Sequence, residues 1–420
     1  MTMKKYIFIT YGIVDMGGGQ MYVYNKTQYL KNNDYNVYVF SVFNGDVIIK
    51  GLEEYKDDII SELGVPIFYF SLSQKNKIIN SIIKKIDLHF DDEIIIESNS
   101  ISNALWGEKI SALLHCKHFI YLLSENNLIY ADTIYPFLKF KYNRQEVAAI
   151  NEKIIPWLFQ KYEEIGENKS YSLKAACTNV FEDYEHELIH KIPHRDYTIG
   201  MIGRLEKPYL LPILDDIIGF CNNHIDKTFT ILLIGDTQDK IRKNRIIDKF
   251  AKSDNINLVL SGYLYPIPLR LLDLCDVFVS SAGSAFLTEA LGYLTISIDG
   301  KDYKPTGILG YTTDNSLFRN NEPIVEINDL LEDILILEKY PKRLARTYDT
   351  SINDFSNKTH MDFIANSDQS EAYYNIDSVR PTLLYRYKKI IYIIKQFSRY
   401  VLGNSTYSKL AQVKRSLLHT

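Results

Sequence analysis

Short apolar runs alternate with amphipathic stretches along most of the chain, and the two spacings predict different elements. Residues 5–10, 35–43, 66–70, 93–96 and 117–123 are compact runs rich in Ile, Val, Phe and Tyr, which predicts strands. Between them, residues 20–30, 57–63, 77–88 and 103–114 place apolar side chains three and four positions apart, which predicts helices. Residues 128–170 are less regular and rich in aromatics and charge. The alternation then resumes, with strands expected at 198–202, 229–234, 256–260, 277–280 and 294–298. Helices are expected at 213–223, 240–249, 267–274 and 285–291. Near-continuous apolar strands are buried on both faces, so each half is expected to be a mostly parallel sheet covered by helices. Ile192-Pro193-His194-Arg195 interrupts the pattern and places the division between the halves near 186–196. A cleft at the carboxyl ends of such strands is where open parallel sheets bind ligands.

A length of 420 residues supports two domains, and 46% apolar with 24% charged residues is an ordinary globular balance. Cys116, Cys177, Cys221 and Cys275 are scattered in apolar surroundings. They predict buried thiols in a reducing compartment, not a disulfide frame or zinc cage. Lys4-Lys5 precedes only a short apolar run, which does not read as a secretory signal, and no uncharged run is long enough to cross a bilayer. The expectation is a cytoplasmic protein, soluble or peripheral on the inner face of a membrane.

Charge changes the picture at one end. The net charge is −4, yet Pro381 to Thr420 holds eight Lys or Arg and no acid, which leaves −12 for the rest. Within 383–402, Leu383, Tyr387, Ile390, Ile391, Ile394, Phe397 and Val401 share one helical arc. Arg386, Lys388, Lys389, Lys395 and Arg399 occupy the remainder, and Lys409, Lys414 and Arg415 extend the charge. This pattern fits a helix lying on an anionic membrane through residues 383–415; the other reading is a helix packed on its own protein. Nucleic acid fits poorly, because the rest of the chain is acidic and the aromatics form no binding module.

Candidate chemistry lies at the predicted strand ends. Gly203-Arg204-Leu205 with Lys207 offers a bidentate guanidinium and a point charge, which suits a diphosphate; a charged surface turn is the plain alternative. Gly235-Asp236 and Gly262 end the next two strands and could border a base or ribose. Ser280 to Glu289 runs from small residues into a helix, whose amino end favours anions. Glu289 lies too far along to cap that helix; it either accepts from a ribose hydroxyl pair or pairs with Lys301 or Arg204. Gly17-Gly18-Gly19 opens the first strand-to-helix loop without dinucleotide spacing, and Gln20 follows it. No Asp-x-Asp motif stands in a strand-end loop, and Asp57-Asp58, Asp91-Asp92 and Asp215-Asp216 read as turns or helix surfaces, so no metal or other cofactor is expected.

Taken together, Gly203-Arg204-Leu205, Lys207, Gly235-Asp236, Gly262 and the Ser280–Glu289 run resemble the large family of retaining glycosyltransferases of the glycosyltransferase 4, or group 1, type. The likeness covers about residues 1 to 330. It implies the GT-B architecture, two facing Rossmann-like domains. Residues 1–190 would form the acceptor domain, 191–360 the nucleotide-sugar domain and 361–420 a basic helical extension. By resemblance, Arg204 and Lys207 hold the donor diphosphate and stabilise its departure, and Glu289 binds the ribose. Gly18, Gly19, Gly235, Gly262, Gly283 and Ser284 complete the donor site. Relatives place a histidine where Ser124-Glu125-Asn126 stands, so Glu125 becomes the candidate base or acceptor-binding group. Glu97 is its rival, and Gln20 would orient the acceptor hydroxyl. His115 and His118 are read as satisfying packing or solvent contacts. In a front-face mechanism the leaving phosphate itself takes the acceptor proton, so a protein base is dispensable.

Three departures stand out. Ser281 replaces the first of two paired glutamates, Lys207 lies closer to Arg204 than is usual, and Leu294-Thr-Ile-Ser-Ile298 replaces an apolar-proline run. The implied activity is sugar transfer from a nucleotide-diphosphate sugar to a glycan or lipid-linked acceptor, in making a capsule, lipopolysaccharide or other surface polysaccharide. The alternatives are a non-catalytic glycan-assembly protein with a degenerate donor site, and a nucleotide-sugar epimerase of the same general architecture.

Overall fold

A computed structural model describes residues 3–14, 16–89, 91–123, 133–166, 168–341 and 352–402. The first half contains β1 (Lys4–Thr10), α1 (Gly18–Lys31), β2 (Tyr35–Ser41), α2 (Leu72–Ile86), β3 (Glu93–Ser98), α3 (Ile101–Leu114), β4 (Lys117–Leu122), α4 (Tyr135–Asn143), β5 (Val147–Ala149) and α5 (Ile154–Phe159). Its five strands are parallel in the order β2-β1-β3-β4-β5. β6 (Phe181–Glu182) and α6 (Glu187–Lys191) lead into β7 (Tyr197–Ile202), α7 (Leu210–Asn223), β8 (Phe229–Ile234), α8 (Lys240–Phe250), β9 (Ile256–Leu260), β10 (Ile267–Pro268), α9 (Leu269–Leu272), β11 (Val277–Ser280), α10 (Gly283–Ala290), β12 (Thr295–Ile298), β13 (Pro305–Ile308) and α11 (Ile327–Leu331). The second sheet runs β13-β12-β11-β7-β8-β9, parallel except where β13 meets β12. α12 (Ile352–Ala365) and α13 (Leu383–Leu402) close the described chain.

The central strands β1 and β8 are largely apolar because each feeds two cores. In β1, Ile7 and Ile9 pack with Leu105 and Trp106 on one face, while Tyr6 and Phe8 join Tyr22 and Tyr121 on the other. In β8, Ile231 and Leu233 face the α7 side, and Leu232 and Ile234 face Phe181, Ile267 and Leu271.

Some expected elements differ. Residues 66–70 form a short 3-10 turn, Ile67–Tyr69, not a strand. Pro66 cannot donate to a ladder, and the Val65 carbonyl instead accepts from Trp106 Nε1 at 2.9 Å. The helix expected at 57–63 does not form: one 3-10 turn, Lys50–Tyr55, ends before it and another, Ser61–Gly64, overlaps only its end. α2 starts before residue 77 because Ser71 and Gln74 form a capping box. The helix expected at 267–274 shortens to α9, since Ile267–Pro268 pairs with β6.

The chain also crosses between halves at other points than expected. Phe181 already belongs to a core of the second half, ahead of residue 190. α12 returns to the first half, where Ile364 joins its core and Asn357 Nδ2 donates to the Asn25 carbonyl at 3.3 Å. The expected division at 360 falls inside that helix.

Candidate functional site

The loop after β7 carries two cations. Gly203 and Gly235 both have positive φ, +148° and +145°, and a Cβ added at 235 would overlap the Gly203 carbonyl oxygen. Only glycine lets these strand ends approach so closely. The seam is stitched by Gly203 N–H to the Ile234 carbonyl at 3.0 Å, Leu205 N–H to the Asp236 carbonyl at 3.2 Å, and a bridge between Gly235 and Gly262. Arg242, from α8, donates Nε to the Leu205 carbonyl at 2.5 Å and Nη2 to the Lys207 carbonyl at 2.8 Å. The loop presenting Arg204 and Lys207 is thereby fixed from both sides.

A cavity of about 210 Å³ lies between the halves. Met16, Gly17, Gly18, Met21 and Asn179 line it from one side; Gly203, Arg204, Lys207, Gly235 and Ser284 line it from the other. Ile202, Ile234, Tyr263, Leu264 and Ile267 supply most of the apolar wall. Two helix amino ends converge there. Gly17 precedes α1 and Ala282 precedes α10 as their N-cap residues, and neither start has a side-chain cap. Uncapped first-turn N–H groups favour an anion. Among the described residues, neither Arg204 nor Lys207 has an acidic partner. Burial lowers the Lys207 pKa from the usual lysine range, and the neighbouring Arg204 charge lowers it further. Site-directed cations, orphan amides and an apolar wall together suit a diphosphate attached to flat or ring-shaped groups.

The structure thus brings Gly18, Arg204, Lys207, Gly235 and Ser284 to one cavity. Gly19 and Gly283 lie one position from lining residues, and a Cβ at either would meet nothing. Gly262 is tied into the glycine seam. Asp236 is bound by Lys243, with Nζ to Oδ1 at 2.8 Å. Glu289, 6% exposed within α10, is not on the cavity wall, and Ser281 is buried. Gln20 turns back on its own loop, its amide 3.5 Å from the Gly12 carbonyl.

Glu97 is not available to an acceptor, which corrects the expectation. Its carboxylate is fully buried and accepts from Tyr6 Oη (2.6 Å), Tyr22 Oη (2.8 Å), Lys26 Nζ (2.5 Å) and Asn99 Nδ2 (2.7 Å). Glu125 lies outside the described residues. His118 is a packing residue as expected, buried between Glu108 (2.9 Å) and Ser98 (3.0 Å). Sequence reasoning missed Met16, Met21, Asn179 and Arg242. Arg242 alone carried a signal, a cation in the helix after Gly235-Asp236. Among the described residues, no group of three His, Cys, Asp or Glu could hold a metal ion, and no helix is long and apolar enough to cross a membrane.

No protein-family model matches the chain, and no curated protein matches it. Solved structures do resemble it. A glycosyltransferase from Rickettsia africae ESF-5 is 15% identical, covers 96% of this chain and 99% of its own, and superposes with a TM-score of 0.55. Anabaena HepE, solved with UDP and glucose, is 12% identical over 87% of this chain and 95% of its own, with a TM-score of 0.49. UDP-N-acetylglucosamine 2-epimerase from Rickettsia bellii is 10% identical over 91% and 100%, with a TM-score of 0.45. At these identities the likeness is one of fold: the chain has a two-domain α/β GT-B-like architecture with Rossmann-like sheets.

Proposed function

We propose that the cavity binds a nucleotide-diphosphate sugar, and that Arg204 and Lys207 stabilise the diphosphate as the glycosyl bond breaks. The observation that carries this reading is the convergence of two cations, without acidic partners among the described residues, on two uncapped helix amino ends. Negative charge grows on the leaving diphosphate, so donors already aimed at it lower the barrier. Ribose binding by Glu289 and a base role for Glu125 rest on resemblance alone.

The reaction we favour is transfer of the sugar, with retention, to a glycan or lipid-linked acceptor in surface polysaccharide synthesis such as capsule or lipopolysaccharide. The sequence resemblance supports it, as does the fold shared with the Rickettsia africae glycosyltransferase. An anionic membrane reached through residues 383–415 would present a lipid-linked acceptor to a cytoplasmic enzyme. A second reading, epimerisation of the donor sugar, needs no acceptor. It is favoured by the acceptor-side candidates: Glu97 is consumed in the core and Gln20 turns back on its loop.

Thermal shifts against UDP-, GDP-, ADP- and CMP-sugars test binding. Arg204→Ala with Lys207→Ala is expected to weaken the preferred nucleotide at least tenfold, as loss of charged hydrogen bonds does. Unchanged binding in that double variant sinks the site. Labelled donor incubated with and without lipid-linked acceptor then separates transfer from epimerisation, and turnover of neither kind points to the non-catalytic alternative.

A further inference from the structure

We propose that α2 and α13 together form a docking surface for an anionic bilayer. The exposed groove of α2 takes lipid phosphate headgroups, and the apolar stripe of α13 lies among the acyl chains. The α13 part rests on the membrane reading above and deepens it; the headgroup groove is a separate site on the first half of the chain.

One face of α13 is already occupied. Tyr385 is buried against Phe68, with ring centroids 4.9 Å apart, and Tyr392 meets Tyr69 at 5.9 Å and Phe70 at 6.2 Å. Leu383, Tyr387, Ile390, Ile394, Phe397 and Val401 form a second stripe at alternating four- and three-residue steps. Each of these six is between 56% and 81% exposed. A continuous apolar stripe of this length left in water is costly and marks a binding surface. α13 contains no acidic residue.

α2 begins directly after the aromatic turn on which α13 sits, so its amino end lies beside the seat of α13. It contains Lys75, Lys77, Lys84 and Lys85 and no acid. Lys75 pairs with Asp377 at 3.0 Å, and Lys85 pairs with Asp58. Lys77 and Lys84 have no acidic partner among the described residues and sit seven positions apart on one helix face. With Ser73, Asn76, Asn80 and Ser81 they line a shallow, open groove along this one helix. Two cations flanked by hydroxyls and amides, with no carboxylate on the wall, match a phosphate diester. Leu72, 62% exposed, adds an apolar contact at the α13 end of that groove.

The charge decides between occupants. A second copy of α13 laid on the stripe would bring cations against cations with no acid on either helix to offset them. An anionic headgroup layer gains from each of those cations instead.

Flotation of the full-length protein with phosphatidylcholine vesicles, with and without phosphatidylglycerol, tests the surface. Binding is expected only with phosphatidylglycerol and is expected to weaken with salt. Each lysine near an anionic surface is worth roughly fivefold in partition, so Lys77→Glu with Lys84→Glu is expected to weaken it at least about tenfold. Ile390→Ser with Phe397→Ser is expected to abolish it. Both variants are expected to keep the wild-type nucleotide thermal shift, so this outcome is read independently of the donor site. Wild-type binding by the Lys77/Lys84 variant overturns the headgroup groove. Failure to float with phosphatidylglycerol, or a dimer that dissociates in Ile390→Ser/Phe397→Ser, overturns the bilayer as occupant.

Discussion

Lys207 is a cation opposed by its own surroundings, and that opposition is measurable. Burial and the Arg204 charge both hold its pKa below the ordinary lysine range. The charged form is therefore the strained one in the free protein. Its contribution to stability improves as pH rises through the lowered pKa, whereas a bound diphosphate needs the proton kept. Nucleotide affinity, followed by calorimetry, is thus expected to be full below that pKa. It should decline while pH is still under about 10.4, the reference lysine value. Lys207→Arg should remove the decline, because guanidinium stays charged; a decline that persists in Lys207→Arg assigns it to another group. Glu97 shows where residue-level reading failed. Glu97-Ser-Asn-Ser at a strand end looks like an acceptor loop, but the donors that consume it, Tyr6, Tyr22 and Lys26, come from β1 and α1. Nothing local in the sequence marks such a long-range meeting. Glu97→Gln should leave Lys26 buried with its counter-charge gone, at a cost of about 3–5 kcal/mol. Urea unfolding reads that loss directly, and a change under 1 kcal/mol shows that the buried pair is not structural.

At the scale of elements, periodicity reported well on strands buried on both faces and on most helices, and poorly on segments whose partners are side chains. Residues 66–70 have a strand's composition, yet Pro66 and the Trp106 contact with Val65 turn them into a platform for α3 and α13. Gly203, Gly235 and Gly262 were legible as strand-end glycines; all three hold positive φ, and at Gly235 the Gly203 carbonyl leaves no room for a Cβ. The convergence of α1 and α10 was only partly legible: each helix start has a sequence signal, but their meeting depends on how the halves pack. α10 carries a mark of its own. Ala282 holds φ +56° and ψ −134°, a conformation that suits glycine, immediately before the helix whose amino end faces the cavity. Relief of that strain exceeds the entropy a glycine costs, so Ala282→Gly should stabilise the protein by about 1 kcal/mol. The melting temperature should rise by about 2–4 °C for a domain of this size. If it falls, the strain is absent and the helix entry is set by other contacts.

On the scale of the whole molecule, the two halves are not consecutive pieces of chain. Residues after the second sheet return to complete the first. His360 is enclosed beside Tyr22 (3.3 Å) and donates Nε2 to the Lys174 carbonyl (3.0 Å), and burial, followed by the Lys26 charge, holds it well below the usual histidine range and hence neutral. The Tyr374 N–H donates to Glu108 Oε1 at 2.7 Å, while Ile376 and Tyr385 sit in the core beside Trp106. Which sheet α12 covers depends on how the whole chain packs, so a linear division at 190 and 360 cuts a core that topology joins. Residues 1–190 alone should therefore expose the α12 seat, including buried apolar surface around Phe119 and Tyr121, and collect in the insoluble fraction. A chain carrying 1–190 joined by a flexible linker to 352–402 should be soluble and melt cooperatively in circular dichroism, because it restores the missing core wall. Equal solubility and equal melting of the two would mean that the returning segment is an ornament on a self-sufficient half. Unfolding of the intact protein should correspondingly begin with separation of the second half, since the first half is clamped by a segment that follows it in sequence and leaves last.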